Sequence, residues 1–570
     1  MYTLGINAAF HDSAACLVKN GKIVAAAEEE RFTGIKHGKR PVPFSAYELP
    51  FHAIHYCLAQ ADISIYDLDH IAYSFNPMLF YNPGKTPHHV CLKIKPDKKH
   101  KPGFSPWDPL FYLYLLNAPK YLLDGCPHHL QERFRKKGMI FKTQWHYIDH
   151  HMAHAASAFL VCPFKSAAIL TLDGRGEKVT TTFAVGKRKQ IWVIKEISMP
   201  HSIGILYEKL TEHLGFLHSS DEYKVMALAS FGKPNYRNEF RRMINLKKDG
   251  RYEIDYLDLN RLFGPPRKKG APLKQRHFDI ASSLQKALEE TVLHMVSWLA
   301  KSVKERNLCL SGGVALNCVM NSRIKEKGDF KEIWVQPAAG DAGTALGAAV
   351  LVDSNQRSGK RPQAMTHAYF GPEYPETEIE RFLAWAKTKY RKLDNIPRQA
   401  ASLLFEDKIV GWFQGRMEFG PRALGARSIL ASPLTAEMQT RLNEIKGRED
   451  FRPVAPCVLE EEAGKWFKGA GVSPFMLFVY DVIREKKPLI PAVTHIDGTA
   501  RIQTVNRCQN PLYYDTILSF KKLSGVPILI NTSFNINSKP IVCSPQDALG
   551  AFWASPIDAL IMGPFLIEKS

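Results

Sequence analysis

The sequence predicts an α/β protein in two parts, a larger N-terminal part with a duplicated α/β core and a smaller C-terminal α/β part. Three observations carry this expectation. A strand followed by a hairpin occurs twice in the first half, at 1–32 and 166–197. A long amphipathic helix pattern occupies 278–305, and the chain turns polar, basic and proline-bearing across 353–375 before strand signals resume. At 570 residues the chain is also too long for one hydrophobic core.

Taken in order, "MYTLGINA" (1–8) reads as a short apolar strand. "SAACLVKNGKIVAAAEEERF" (13–32) gives two apolar runs around Asn20-Gly21, a dipeptide suited to a tight hairpin. "SAAILTLDG" (166–174) is a buried strand ending in glycine, and "TTTFAVGKRKQIWVIKEI" (180–197) is a second hairpin. The 278–305 segment has apolar residues at helical spacing and runs into "NLCLSGGVALNCVMN" (307–321), a strand, a Gly-Gly turn and a helix. Beyond the polar stretch, "KIVGWFQG" (408–415) and "GVPILINTSFN" (525–535) are strands. The expected domains are 1–360, with an insertion at about 84–143, and 361–570.

The composition, 45% hydrophobic and 23% charged, is that of a soluble globular chain. No run reaches the roughly 20 apolar residues of a membrane span, and "MYTLGINAAF" lacks the basic and apolar regions of a signal peptide. Ten cysteines without a CxxC pair argue against a disulfide framework or zinc ribbon, so a reducing cytoplasm is the expected compartment. The net charge of +20 points to an anionic ligand or to nucleic acid. Residues 84–143 hold twelve Lys and Arg against four acids. Elsewhere arginines sit singly inside motif-like runs, which suits small anionic ligands better than a nucleic-acid stripe.

Several constellations carry chemistry. In "DHHMAHAASAF" (149–159), His150 and His154 are spaced i, i+4 and face the same way on a helix. The pair reads either as a cation site or as a histidine-rich core helix. Asp173 at the end of a strand and Asp341 in a Gly-rich turn would complete a site for a divalent transition metal. "LSGGVALN" (310–317) places Gly312, Gly313 and Asn317 where backbone amides can approach a nucleotide, or simply make a tight turn. "NAAFHDSAA" (7–15) presents His11, a general-base candidate, beside Asp12. The densest signal is C-terminal. "GRMEFGPRALGARSIL" (415–430) holds Arg416, Arg422 and Arg427, and "IKGREDFRPVAP" (445–456) adds Lys446, Arg448 and Arg452. "HIDGTARIQTV" (495–505) adds Arg501, and "NTSFN" (531–535) adds Asn531, Ser533 and Asn535. Cations alternating with Gly, Pro and apolar residues line clefts, where phosphates are their natural partners.

The run "GRMEFGPRALGARSIL…IKGREDFRPVAP…DGTARIQTV…NTSFN" resembles the nodulation and antibiotic O-carbamoyltransferases. So do "EEERFTGIKHGKRPVPFSAYELP" (28–50), "DHHMAHAASAF", "DEYKVMALASFG" (221–232) and "LSGGVALN" in the first half. The N-terminal block looks closest to the tobramycin-type members, which carbamoylate an aminoglycoside hydroxyl. The resemblance implies an N-terminal actin-like ATPase fold, related to the tRNA threonylcarbamoyl transferases, and a YrdC-like C-terminal domain. It implies that carbamoyl phosphate and ATP give carbamoyl adenylate in the C-terminal domain, and that a hydroxyl of a small natural product attacks it in the N-terminal domain, releasing AMP. Lys446, Arg448, Arg452 and Arg501 would neutralise the substrates, Ser533 and its flanking asparagines would hold the adenylate, and His11 would accept the proton. Fe(II) or another divalent metal would sit on His150, His154, Asp173 and Asp341. Mg(II) beside the nucleotide and a homodimer are compatible with the resemblance, which places the chain in secondary metabolism. Ala227 stands where the family motif has Gly. Two alternatives are a tRNA-modifying or other nucleic-acid-binding transferase, motivated by the charge, and an actin-like sugar or acyl kinase, which leaves the arginine-rich part unexplained.

Overall fold

The computed structural model describes residues 1–38, 49–81, 89–93, 118, 142–358, 361–536 and 539–569. The basic segment 84–143 therefore lies almost wholly outside the described residues.

β1 (Tyr2–Asn7), β2 (Ala14–Lys19) and β3 (Lys22–Glu28) form an antiparallel meander. Its hairpin turns on Asn20 and Gly21, both left-handed with φ 51° and 82°. β4 (His70–Tyr73) and β6 (Gln144–Ile148) continue the sheet in parallel beyond β1, and β5 (His89–Lys93) pairs antiparallel with β6. The second sheet repeats the scheme. β7 (Ser166–Leu172), β8 (Val179–Lys187) and β9 (Gln190–Ser198) are an antiparallel meander, and strands Asn307–Ser311 and Glu332–Val335 follow in parallel beyond β7. In both sheets the order is third, second, first, then the parallel strands. β1 and β7 are near-continuously apolar because both faces are covered. β9, at an edge, alternates exposed and half-buried residues.

Two helices fill the space between the sheets. Ala342–Gln356 lies on β1, β2 and β4, and His150–Phe159 lies on β7, β8 and strand Asn307–Ser311. They meet through small residues, "AGTALGAA" against "AHAASA". At Gly347 the backbones are so close that a Cβ would stand 1.8 Å from the carbonyl oxygen of Ala153. The helix expected at 278–305 runs from Gln275 to Val303 and ends at left-handed Lys304, φ 55°.

The C-terminal part has its own core, running from Ile379 to Ile567, on one face or the other of an eight-stranded mixed sheet. Central strands are Val410–Phe413, Arg427–Ala431, Ile528–Ser533 and Ala455–Leu459. Buried ionic and backbone contacts fasten it to the first sheet. Arg31 reaches Glu28, Glu30 and the carbonyl of Gly420, and the Gly420 amide donates to Glu28 at 2.8 Å. Arg416 donates to the carbonyls of Val24, Phe370 and Gly371 and to the Tyr56 hydroxyl.

Gly347→Ala forces the helix pair apart and is expected to cost about 1–3 kcal/mol, read as a lower midpoint in chemical unfolding. Gly550 is an exposed position inside helix Pro545–Trp553 with nothing within 4 Å of its would-be Cβ. Gly550→Ala should instead gain roughly 0.5–1 kcal/mol. Equal effects of the two substitutions would contradict the close helix contact.

Candidate functional site

The N-terminal cluster forms where the two inter-sheet helices begin. His150 opens its helix, and its Nδ1 lies 3.2 Å from the carbonyl of Ser74. Donation from Nδ1 to that carbonyl leaves Nε2 as the basic nitrogen, facing the cluster. Asp341 immediately precedes helix Ala342–Gln356, and Asp173 follows β7. His150 Nε2 lies 3.5 Å from Asp341 Oδ1 and 3.7 Å from Asp173 Oδ2, and His154 Nε2 lies 3.6 Å from Asp341 Oδ1. All four are buried, with one potential ligand atom from each within 4.8 Å of the others.

Two features of the donor set suit a metal ion. His150 Nε2, both ring nitrogens of His154 and Asp341 Oδ1 are buried and have no hydrogen-bond partner among the described residues. Metal–ligand bonds of about 2.0–2.2 Å put tetrahedral donors about 3.4 Å apart, which matches these separations. Two imidazoles and two carboxylates suit a first-row divalent ion, so the residues fit one. Burial works to raise the pKa values of Asp173 and Asp341, but the neighbouring histidines, His150 for Asp173 and His11 for Asp341, hold both below the usual range. They are therefore anionic at neutral pH. His151 turns away to Thr182 Oγ1, 3.1 Å, and burial pushes it down to about 3.

The cationic cluster belongs to the C-terminal part. Lys446 follows helix Glu437–Ile445 and donates to the Ser533 carbonyl at 2.5 Å and to Asn535 Oδ1 at 2.6 Å. Arg448 donates to Asn443 Oδ1, leaving one terminal nitrogen without a partner, and the Arg422 Nε is likewise unpartnered and buried. Arg452 stacks on Tyr223, 4.7 Å from the ring centroid, and pairs with Glu449. Burial and neighbouring cations push Arg422 and Arg448 down to about 9. A buried group of cations with so few counter-charges is built for an anion.

One cleft of about 570 Å³ reaches both clusters, touching Asp173 and Asp341 of the first while the rings of His150 and His154 stay buried behind them. His11, Asp173 and Asp341 line it at one end and Arg422, Lys446, Arg448, Arg452, Ser533 and Asn535 at the other. Other expected residues sit elsewhere. Arg416 is the fastening between the parts described above, and Arg427 is buried against four backbone carbonyls and the Phe413 ring. Asn531 donates to Gln503 and the Ala423 carbonyl inside the sheet. Arg501 stands behind Arg422 and repels it, without lining the cleft. Gly312 is needed by the backbone, with φ 90° and a would-be Cβ 2.1 Å from the Leu172 carbonyl. It lets the Gly313 amide donate to Asp173 Oδ1 at 2.8 Å, so this turn orients a candidate metal ligand. Asn317 caps helix Cys318–Lys327 while lining the cleft.

The site contains residues that reasoning by motif left unassigned. Asp12, Glu30, Lys36, His37, Glu208, Glu222 and Tyr223 also line the cleft. Most fall inside "HDSAA", "EEERFTGIKHG" and "DEYKVMAL", so the signal was their place in those runs. Phe10, Asp12 and His37 are left-handed, with φ 62°, 51° and 61°. Such strain, about 1–3 kcal/mol per non-glycine residue, concentrates at functional sites.

Burial, then Arg448, Arg452 and Lys36, hold Lys446 well below its ordinary 10.5. Between the folded and unfolded values the unfolded chain carries the extra proton. This residue therefore lowers stability below that window, and the deficit vanishes as pH rises to 10.5. An anion pairing with Lys446 should restore its proton. Calorimetric titration with sulfate in two buffers of different ionisation enthalpy is expected to show proton uptake that Lys446→Met abolishes. Identical uptake in the two proteins would contradict this assignment.

Comparison with known proteins gives consistent results. The family model described as Carbamoyltransferase N-terminus matches residues 2–350, and Carbamoyltransferase C-terminus matches 401–569. An uncharacterized protein, sll1178, of Synechocystis sp. is 38% identical over 100% of this chain and 97% of its own length. Nodulation protein NolNO of Sinorhizobium fredii is 37% identical over 99% of this chain and 80% of its own, and nodulation protein NolO of Bradyrhizobium diazoefficiens is 42% identical over 74% and 79%. Among solved structures, full-length HypF in its phosphate- and nucleotide-bound form overlaps with 14% identity and a TM-score of 0.35, covering 63% of this chain and 56% of that one. No helix among the described residues is long and apolar enough to cross a membrane. The chain belongs to the carbamoyltransferase family.

Proposed function

We propose that the chain is an ATP-dependent O-carbamoyltransferase that makes carbamoyl adenylate at the cationic end of its cleft and consumes it at the histidine–aspartate end. The observation that carries the reading is the single cleft with both chemistries on its walls. For atoms to balance, carbamoyl phosphate is first hydrolysed to carbamate and phosphate. A carbamate oxygen then attacks the α-phosphorus of ATP and pyrophosphate leaves. Lys446, Arg448, Arg422 and Arg452 neutralise the phosphoryl oxygens, and Arg501 adds field from behind. Ser533 and Asn535 hold the adenylate by neutral hydrogen bonds. Gly313 and Asn317 sit on the path between the ends.

In the second step an acceptor hydroxyl oxygen bonds to the carbamoyl carbon, the bond from that carbon to the phosphate oxygen breaks, and AMP departs. His11 takes the hydroxyl proton. A divalent metal, Fe(II) for preference, held by His150, His154, Asp173 and Asp341 would act as a Lewis acid toward a carbonyl or phosphate oxygen. Mg(II) would accompany ATP. The acceptor is a hydroxylated small natural product of aminoglycoside or other sugar type. Supporting this, Glu208 and Glu222 line the cleft, with Glu208 beside Gly174, so its walls are not uniformly cationic despite the positive net charge. Among the described residues, the cations that line the cleft are largely buried, which favours small anions over tRNA.

The test follows pyrophosphate, AMP and ADP with carbamoyl phosphate, ATP and metal. Pyrophosphate and AMP are expected. His154→Ala should slow AMP release about 10²- to 10³-fold while carbamoyl-phosphate-dependent ATP–pyrophosphate exchange survives, and Lys446→Met should lose both. ADP as the product, or loss of both steps in His154→Ala, would overturn the division of labour.

A further inference from the structure

Behind His11, the base proposed above, lies a hydrogen-bonded chain whose other members the mechanism does not use. His11 Nδ1 lies 2.9 Å from Asp12 Oδ2, and His37 Nδ1 lies 2.8 Å from Asp12 Oδ1. His37 Nε2 lies 3.0 Å from Ser220 Oγ. One carboxylate therefore grips two imidazoles, each on its own oxygen. The backbone enforces the grip. The Asp12 amide donates to the His37 carbonyl, the His37 amide donates to Glu30 Oε2, and the Asn7 side chain donates to the carbonyls of both His11 and Asp12. Burial would raise the Asp12 pKa, but His37 and His11 more than offset it, so the carboxylate stays charged.

The arrangement fixes a tautomer. Donation from His11 Nδ1 to Asp12 makes Nε2 the basic nitrogen, and Nε2 is on the side of Asp341, 3.9 Å from Oδ2. We infer that Asp12 is the positioning residue of the transfer step: it holds His11 in the Nδ1-protonated form, aims Nε2 at the acceptor and stabilises the imidazolium that forms, with His37 and Ser220 fixing the far side of the carboxylate. When the nucleophile O–H bond breaks, its proton goes to His11 Nε2 and its electron pair to the new bond with the carbamoyl carbon. AMP leaves with the electrons of the broken C–O bond, and the imidazolium returns its proton to solvent. The inference rests on the carbamoyl-adenylate reading proposed above.

The competing use of these groups is as cation ligands, because ligand atoms of Asp12, Glu30 and His37 lie within 4.8 Å of one another. The test separates the two with nucleophiles that differ in their need for a base. Carbamoyl adenylate is formed on the full-length metal-loaded protein, and single-turnover AMP release is followed with water and with hydroxylamine, which needs no base. Asp12→Asn suits the left-handed backbone and keeps the size. It should slow the water reaction about 10²- to 10⁴-fold and leave hydroxyurea formation from hydroxylamine within a few-fold. His37→Gln should give a smaller loss of the same pattern, and bound metal per chain should be unchanged in both. Equal slowing with both nucleophiles, an unaffected water reaction, or loss of a metal ion in Asp12→Asn would overturn the assignment. Wild-type protein that releases no AMP with either nucleophile would instead overturn the underlying carbamoyl-adenylate reading.

Discussion

The site depends on two helices touching backbone to backbone. Ala342–Gln356 and His150–Phe159 lie between two sheets, and only the absence of a side chain at Gly347 lets them approach. Each helix contributes candidate ligands from its first turn or from the residue before it. His150 and His154 come from one and Asp341 from the other, while β7 delivers Asp173 at its end. A wider spacing would pull Asp341 away from both histidines, whose nitrogens it now faces at 3.5 and 3.6 Å. The alanine-rich composition of both helices is thus a condition for the donor geometry as well as for packing. The same contact brings the ends of both meanders to one mouth, which is why His11 and Asp173 share a cleft.

Charge is sorted along that cleft. Burial raises the cost of every ionised group, and the two ends answer it differently. At one end carboxylates and imidazoles lower each other's cost, leaving Asp173 and Asp341 anionic. At the other, burial pushes Lys446, Arg422 and Arg448 below their ordinary pKa values, and nearby cations add to it: Arg448 and Arg452 for Lys446, Arg501 and Arg452 for Arg422 and Arg448. A site of that kind is incomplete without a multiply charged anion. The Arg31–Glu28–Gly420 and Arg416 contacts hold the two ends in register, so the distance between them is set by the fold.

Much of this was legible in the sequence because period and turn chemistry are local. Both meanders, the Asn20-Gly21 hairpin, the long helix ending near Val303 and the i, i+4 histidines follow from patterns a few residues long. The grouping of His150, His154, Asp173 and Asp341 was legible as well, since strand ends and Gly-rich turns mark where such side chains gather. The arginines were not. Arg416, Arg422 and Arg427 look alike in "GRMEFGPRALGARS", yet Arg422 lines the cleft while the other two satisfy backbone carbonyls. A guanidinium serves an anion or a carbonyl equally well, and only tertiary contacts decide. Gly312 and Gly313 were read as a nucleotide approach or a tight turn, and they do make the turn that holds Asp173, with Gly313 also lining the cleft. The link from Asp12 to His37 spans 25 residues and a left-handed backbone, so no local pattern announces it.

In the proposed reaction one cleft carries the intermediate from the cationic end to the histidine–aspartate end without release. Isotope trapping tests it most directly. The protein is loaded with labelled carbamoyl phosphate and ATP to form labelled carbamoyl adenylate, then mixed with hydroxylamine and a large excess of unlabelled carbamoyl phosphate. Hydroxyurea from the first turnover is expected to keep the label of the loaded intermediate. Product diluted to the specific activity of the mixed pool would contradict it.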